Sequence, residues 1–217
     1  VYDYLAEITM SIMARARAKD PSKGYAIDFV SSVMKLNLKQ IAEQKVKILS
    51  NAGGVNPQAC AEAIRALIKE LNLDLKVSVV LGDDLLEDKD KFLDSGVQEM
   101  YSDEKFPEID KVASINAYLG AFPIAQALND GADIVITGRS VDSAVTLAAC
   151  IHTYGWKEDD YDKLASGSLA GHIIECGTQS TGGNFTDWEL VSKNLHMIGY
   201  PIVDVSENGE FICTKSN

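Results

Sequence analysis

Short apolar runs alternate with longer stretches of helical periodicity through the middle of the chain. Such runs lie at residues 46–49, 76–81 and 133–136, and residues 114–116 form a further strand candidate. Short continuous apolar runs are typical of parallel strands that are covered on both faces. The pattern therefore predicts an α/β fold, a three-layer sandwich with a mainly parallel, Rossmann-like sheet.

Helical periodicity separates the strand candidates. A first helix precedes a break at residues 20–24, and a second spans about residues 25–44. Further helices are predicted from residue 56 to about 71 and over 120–129, 141–152 and 159–176. The expected core positions of the first two helices are Leu5, Ile8, Ile12, Met13, Phe29, Val33, Leu36 and Ile41.

Two local signals mark the ends of elements. Asn56 is a good helix N-cap, and Pro57 then occupies the first helical position. Near the end of the chain, Asn208 and Gly209 separate two apolar segments, which is the strongest short-range hairpin signal. We expect a C-terminal β-hairpin over residues 200–214 and a single α/β domain over residues 1–217.

Composition and charge exclude several classes of protein. The hydrophobic content of 46% is too high for a disordered chain. No apolar run approaches the ~18 residues that a membrane helix needs. The net charge is −12, and the chain contains no cluster of Lys or Arg residues. We therefore expect neither a nucleic-acid nor a membrane partner.

The cysteines and glycines give no cofactor signature. Cys60, Cys150, Cys176 and Cys213 are widely spaced, so we expect reduced thiols in the cytoplasm and no zinc site. Neither a G-x-G-x-x-G nor a P-loop sequence is present. The sequence therefore predicts no cofactor and no bound metal.

Three polar, glycine-containing loops follow the predicted strands, at residues 51–56, 82–84 and 138–142. In a parallel sheet such loops meet at the edge where ligands bind. The first contains the candidate ligand-binding residues Asn51, Gly53, Gly54 and Asn56, whose backbone amides and helix start would suit an anion. A tight, capped turn with no ligand is the alternative interpretation of this loop.

Charged residues in the other two loops extend this candidate site. Arg139 could bind a carboxylate or phosphate, and Asp142 could cap the following helix or orient Arg139. An Arg–Asp pair that merely holds the loop together is the alternative. Asp83 and Asp84 could share a proton or bind Mg²⁺, or they could begin a solvated loop.

A second group of candidates lies in the last third of the chain. His172, Glu175 and Cys176 fall close together near the end of a predicted helix, where they could act as acid/base groups and nucleophile. Cysteine in an apolar stretch is more often a core residue. A glycine-rich loop follows, and its candidate ligand-binding residues are Gln179, Thr181, Gly182 and Gly183.

Three separated segments together carry a family resemblance. They are residues 50–57, residues 131–139 and residues 171–177, the last followed by Gln179 and by Thr181-Gly182-Gly183. In this order they resemble the acyclic terpene utilisation AtuA family, formerly a domain of unknown function, over nearly the whole chain. Family chains are longer at both ends, so we expect this chain to form part of a longer AtuA-like domain.

The resemblance implies a role in the breakdown of acyclic terpenes such as citronellol and geraniol, which proceeds through CoA thioesters. It thus implies a small anionic ligand of the acyl-CoA type and an acyl-CoA-processing enzyme of the hydratase or hydrolase kind. We also expect the chain to form a homo-oligomer. A non-catalytic subunit or scaffold of a catabolic complex, assembled through its hairpin edge, is the first alternative. A metal-dependent hydrolase that uses Asp83 and Asp84 is the second.

Overall fold

A computed structural model describes residues 1–215 and has the expected α/β fold, with a small parallel sheet and a C-terminal antiparallel strand pair. The chain divides into two compact units, residues 1–140 and the part that begins at Val141. None of the described helices reaches the length and apolar character that crossing a membrane demands.

The first unit is built on three parallel strands, β1 (Ile48–Ser50), β2 (Val77–Val80) and β3 (Ile134–Thr137). Their order is β1-β3-β2, so the last strand in sequence lies in the centre. Every residue of β3 is buried, which explains why its sequence is a continuous apolar run. The N-terminal segment extends the sheet, because the Tyr2 amide donates to the Leu49 carbonyl.

Helices cover both faces of β3. Ile134 and Ile136 pack into one large apolar cluster, whereas Val135, which points to the opposite face, lies outside it. The helices of this unit are α1 (Glu7–Lys19), α2 (Lys35–Gln44), α3 (Pro57–Glu70), α4 (Lys89–Asp94) and α5 (Ala121–Asn129). The predicted strand at residues 114–116 is wrong, since only Asn116 forms an isolated antiparallel bridge, to Asp84.

The core prediction for α1 is partly wrong. Met10, Met13 and Ala14 form its buried stripe, while Ile8 is 77% exposed and Ile12 is also exposed. Met13 is buried as predicted, whereas Met10 and Ala14 take the core positions that Ile8 and Ile12 were expected to fill. Leu5 is buried as predicted, although it lies before the helix begins.

A π-helical turn changes the predicted core of the second helix. Residues Phe29–Met34 form this turn and lead directly into α2. A π turn carries more residues than an α turn, so it rotates the residues that follow. Leu38 is consequently buried, while Leu36 is 79% exposed, against expectation.

The predicted cap of α3 is confirmed. Its N-cap is Asn56, whose side-chain oxygen accepts from the Ala59 amide at 3.4 Å, and Pro57 is the first helical residue. The Asn56 amide group donates at 2.9 Å to the carbonyls of Pro21 and Lys23. Asn56 therefore caps α3 and also holds the turn after α1 in place.

The second unit contains α6 (Ala144–Tyr154), α7 (Tyr161–Glu175), α8 (Trp188–Val191) and the hairpin strands β4 (Pro201–Val205) and β5 (Phe211–Lys215). Helix α6 begins three residues later than predicted. Gly167 and Gly171 do not interrupt α7. A side chain at Gly167 would meet Leu147 at 2.8 Å, so the glycine allows close helix packing.

The predicted C-terminal hairpin is confirmed, with β4 and β5 antiparallel. The indole of Trp156 donates to the Glu207 carbonyl at 2.8 Å, and the Ser166 hydroxyl donates to the Gly209 carbonyl. The turn of the hairpin is therefore anchored on the helical part of the unit. Trp156 is buried, whereas Trp188 is exposed.

Replacement of Gly53 tests the packing of the loop after β1 onto β3. A Cβ at Gly53 would lie 2.4 Å from the Thr137 carbonyl oxygen and 2.5 Å from Pro57 Cβ, neither of which can move freely. Gly53→Ala should lower the free energy of unfolding by about 1–3 kcal/mol in urea titrations. Gly120→Ala, whose Cβ would meet nothing within 4 Å, should cost less than about 1 kcal/mol. Equal effects would contradict this packing.

Candidate functional site

The three strand-end loops of the first unit meet at one edge of the sheet. The loop after β1 lies against the end of β3, where Gly53 approaches the Thr137 carbonyl. The loop after β2 contacts the loop after β3 through Asp83, whose carboxylate accepts the Arg139 amide at 2.7 Å. These loops thus form one continuous surface at the carboxyl ends of the strands, as the parallel topology requires.

Asp83 is the buried acid of this surface. Its exposed fraction is 2%, and its carboxylate also accepts the Asn116 side-chain amide at 3.0 Å. Burial raises the pKa of the Asp83 carboxyl above its usual range, while the hydrogen bonds from Arg139 and Asn116 oppose this rise. A Cβ at Gly138 would lie 2.3 Å from both carboxylate oxygens, so only glycine leaves room for them.

Arg17 joins the loop after β1 to the loop after β2. Its guanidinium donates to the Val55 carbonyl and, at 2.8 Å, to the Asp84 carboxylate. This ion pair is partly exposed, so it orients the loops more than it stabilises the fold. The Arg17 charge is consequently committed to Asp84.

A cleft of about 640 Å³ lies between these two loops. Its lining comprises Arg17, residues 54–58, residues 81–84, Glu87 and Asp88. Four of the lining side chains are acidic and one is basic. The cleft is therefore acidic, which disfavours a phosphate and differs from the anion site expected from the loop sequences.

Asn51 is fully buried and its side chain binds the N-terminal segment. The side-chain oxygen accepts from the Tyr4 amide at 2.7 Å, and the side-chain nitrogen donates to the Asp3 carboxylate. Both polar ends of this candidate residue are thus used within the protein. Its predicted contact with a ligand stays a prediction.

Backbone amides of the loop after β1 are also used within the protein. The amides of Gly54, Val55 and Asn56 donate to the carbonyls of Asn51, Gly24 and Gly53, respectively. Gly54 has a φ of 56°, and a Cβ there would lie 2.2 Å from Met13 Sδ. These contacts favour the alternative interpretation of the loop, a tight and capped turn.

The Arg139 side chain is buried and contacts protein groups. One terminal nitrogen donates to the Leu5 carbonyl at 2.8 Å, and the other lies 3.2 Å from the Tyr118 hydroxyl and 3.4 Å from the Glu7 carboxylate. The guanidinium carbon lies 4.2 Å from the centre of the Tyr118 ring. Arg139 thus attaches the start of α1 to the sheet edge, and its predicted anion binding stays a prediction.

The remaining candidates lie in the second unit. Asp142 directly precedes Ser143, the N-cap of α6, and so lies outside the first helical turn. His172 and Glu175 belong to the last turn of α7, and Cys176 is the residue that ends it. The Cys176 thiol donates to the Glu175 carboxylate at 2.9 Å, and His172 is exposed.

The glycine-rich loop folds back on itself. Residues Gly177–Thr181 form a 3₁₀ helix, and the Gly183 amide donates to the Thr178 carbonyl at 2.7 Å. The Thr181 hydroxyl contacts the Gly199 carbonyl at 3.0 Å. The Gln179 side-chain oxygen accepts from Asn184 at 2.6 Å, and Gly182 has a φ of 120°. The loop is thus internally ordered, and its ligand-binding role stays a prediction.

Sequence reasoning missed three residues of the sheet edge, Arg17, Asn116 and Tyr118. Arg17 and Tyr118 are not among the candidate site residues, and Asn116 was placed in a strand. Their contacts link positions far apart in sequence, 67 residues for Arg17 and Asp84 and 33 for Asn116 and Asp83. No local spacing could have indicated these pairs.

Fold and site together define an α/β protein with a ligand-sized cleft at the carboxyl ends of its parallel strands. The family model described as "Acyclic terpene utilisation family protein AtuA" matches residues 1–217. The chain belongs to this family, which confirms the resemblance and indicates a role in acyclic terpene utilisation. No significant match was found among curated proteins or among solved structures.

Replacement of Asp83 tests whether its carboxyl is buried with a raised pKa. Because its pKa is raised in the folded state, the unfolded chain ionises first as pH increases from about the reference value of 3.8. This carboxyl therefore makes the free energy of unfolding fall with increasing pH until the folded-state pKa is passed. Urea titrations of Asp83→Asn across pH 4–7 should lack that fall, while Asp94→Asn, at an exposed position, should retain it. Identical pH profiles would contradict the assignment.

The cysteines differ in accessibility. Burial raises the pKa of the Cys60 thiol to about 12 and also raises that of Cys150, whereas Cys176 and Cys213 are exposed. Iodoacetamide at neutral pH should therefore alkylate Cys176 and Cys213 in the native protein, because it reacts with accessible thiolates. Peptide mass spectrometry should find Cys60 and Cys150 modified only after unfolding. Early modification of Cys60 would contradict its placement.

Proposed function

We propose that this AtuA-family protein serves acyclic terpene utilisation by binding a small-molecule intermediate in the cleft between the loops after β1 and β2. The observation that carries the proposal is that three strand-end loops form one surface, at which the buried Asp83 carboxyl binds the Arg139 amide and the Asn116 side chain. Parallel α/β sheets bind ligands at this edge. A cleft of about 640 Å³ has the size of a small-molecule site.

The proposed ligand is an acyl-CoA thioester. Asp83, Asp84, Glu87 and Asp88 line the cleft, and Arg17 already pairs with Asp84. Because the charges of Asp84, Glu87 and Asp88 outnumber that of Arg17, they repel phosphates, and the nucleotide part of the ligand would remain outside. The cleft would accept the uncharged acyl-thioester end.

Asp83 would be the reactive or orienting group of such a site. A buried carboxyl with a raised pKa retains its proton to higher pH than an exposed one. In that form it can donate a hydrogen bond to a thioester carbonyl or act as a general acid. This chemistry suits a hydratase or a hydrolase. His172, Glu175 and Cys176 remain a second set of candidates for acid/base and nucleophilic steps.

A non-catalytic subunit of a catabolic assembly is the second candidate function. Within residues 1–215, strand β5 pairs with β4 alone, and its residues from Ile212 onward are exposed. An unpaired strand edge can pair with another chain, which would give a homo-oligomer. A stable oligomer at low concentration that no acyl thioester stabilises would favour this function.

Calorimetric titration with three ligands tests the proposed binding mode. The wild-type chain should bind an acyl-pantetheine thioester about as well as the matching acyl-CoA, and free CoA weakly, because the phosphates stay outside. Asp83→Asn and Glu87→Gln change the cleft lining, and loss of one hydrogen bond should weaken binding about tenfold. Asp94→Asn, away from the cleft, is the matched control.

The relative affinities separate the alternatives. Tighter binding of free CoA than of acyl-pantetheine would contradict entry of the acyl end. Equal affinity in Asp83→Asn, Glu87→Gln and Asp94→Asn would place the ligand outside this cleft. Unfolding of Asp83→Asn would leave Glu87→Gln as the informative variant, because the Glu87 side chain is exposed.

A further inference from the structure

The segment that follows the glycine-rich loop exposes an unusual number of apolar side chains. Phe185, Trp188, Met197 and Tyr200 are all exposed, and Leu190 is 83% exposed. Single exposed apolar residues are common on protein surfaces, so only those that line a common cavity indicate a binding surface. This segment lies wholly within the second unit.

The same segment forms a concave groove of about 300 Å³. Five apolar side chains line it together with Thr181, Gly182 and Asn194, and none of these lining residues is ionisable. The apolar lining residues are Phe185, Val191, Leu195, Met197 and Ile198. The groove thus differs in character from the acidic cleft of the first unit.

Polar groups in the wall of the groove are already engaged. The Thr181 hydroxyl contacts the Gly199 carbonyl at 3.0 Å, and the Phe185 amide donates to the Gly182 carbonyl at 3.0 Å. The position of a Cβ on Gly182 would lie 3.7 Å from Ile198 Cδ1, so the absence of a side chain leaves space beside Ile198. An occupant of this groove therefore needs apolar surface rather than hydrogen-bonding groups.

We infer that this groove binds the hydrocarbon chain of an acyclic terpenoid. An uncharged, flexible chain matches a lining without ionisable side chains, and Met197 can adapt to its irregular branches. A protein partner would need a surface of roughly 800 Å² on each side, whereas a concave volume of this size suits a small ligand. The inference depends on the proposed function in one respect: the class of ligand, an acyclic terpenoid, is taken from it.

The groove makes affinity depend on chain length. Each methylene transferred from water into an apolar site should strengthen binding about fourfold. In the series from 1-hexanol to 1-decanol, binding should therefore tighten with each carbon until the groove is full. Citronellol, with its branched chain, should bind at least as tightly as 1-octanol.

Two neighbouring substitutions in α8 provide the test. Val191 lines the groove and is 38% exposed, whereas Leu190 is 83% exposed and does not line it. Calorimetric titration with citronellol and the alcohols should show at least a tenfold loss for Val191→Asp and less than a twofold change for Leu190→Asp. Met197→Gln changes a second exposed lining residue and should also weaken binding. It provides an independent test if Val191→Asp fails to fold.

The outcomes distinguish the two proposals. If the wild type binds acyl-CoA and all variants bind the alcohols with equal affinity, terpenoid binding in the groove is contradicted. The proposed function is then unaffected. Loss of alcohol binding in Val191→Asp, with no acyl-thioester binding to the wild type, would support the groove and contradict the proposed function. An oligomer dissociated by Val191→Asp, with no alcohol binding to the wild type, would assign the groove to a second copy of the chain and overturn the inference.

Discussion

The arrangement of the sheet edge depends on one buried carboxylate. Asp83 follows β2, accepts the backbone amide of Arg139 after β3, and accepts the side chain of Asn116 from a third segment. A carboxyl buried away from water is tolerated only when protein groups satisfy its hydrogen bonds. The loops of this edge are therefore ordered around a polar centre rather than by apolar packing alone.

A second constraint comes from the N-terminal segment. The Asn51 side-chain oxygen accepts from the Tyr4 backbone amide, and the Arg139 side chain donates to the carbonyl of Leu5. Two residues whose types suggested ligand binding thus attach the segment before α1 to the sheet. The Tyr118 hydroxyl, then the backbone amide of Glu7 itself and then the Arg139 charge also lower the pKa of the Glu7 carboxyl at the start of that helix.

The sequence predicted the parts of the fold that depend on local pattern. Asn56 and Pro57 marked the start of α3, and Asn208-Gly209 marked the C-terminal turn, because capping and turn formation involve neighbouring residues. The parallel strands followed from their apolar runs. The resemblance to the AtuA family was also confirmed.

What the sequence did not predict depends on contacts between distant residues. Ile8 and Leu36 were expected in the core, but which face of a helix is buried depends on its partners and on the π turn. Similarly, Arg17 lines the cleft because it pairs with Asp84, which lies 67 positions away in the sequence. The composition of each loop did not reveal how its charges would combine.

The π turn at Phe29–Met34 has a consequence for how this chain tolerates changes in length. Removing one residue from the turn would restore regular α-helical winding and rotate all of α2 by about 100°. Leu38 and Ile41, now in the core, would then face a different direction. The number of residues between Asp28 and Leu38 is thus a structural requirement in its own right, separate from the identity of any side chain within it.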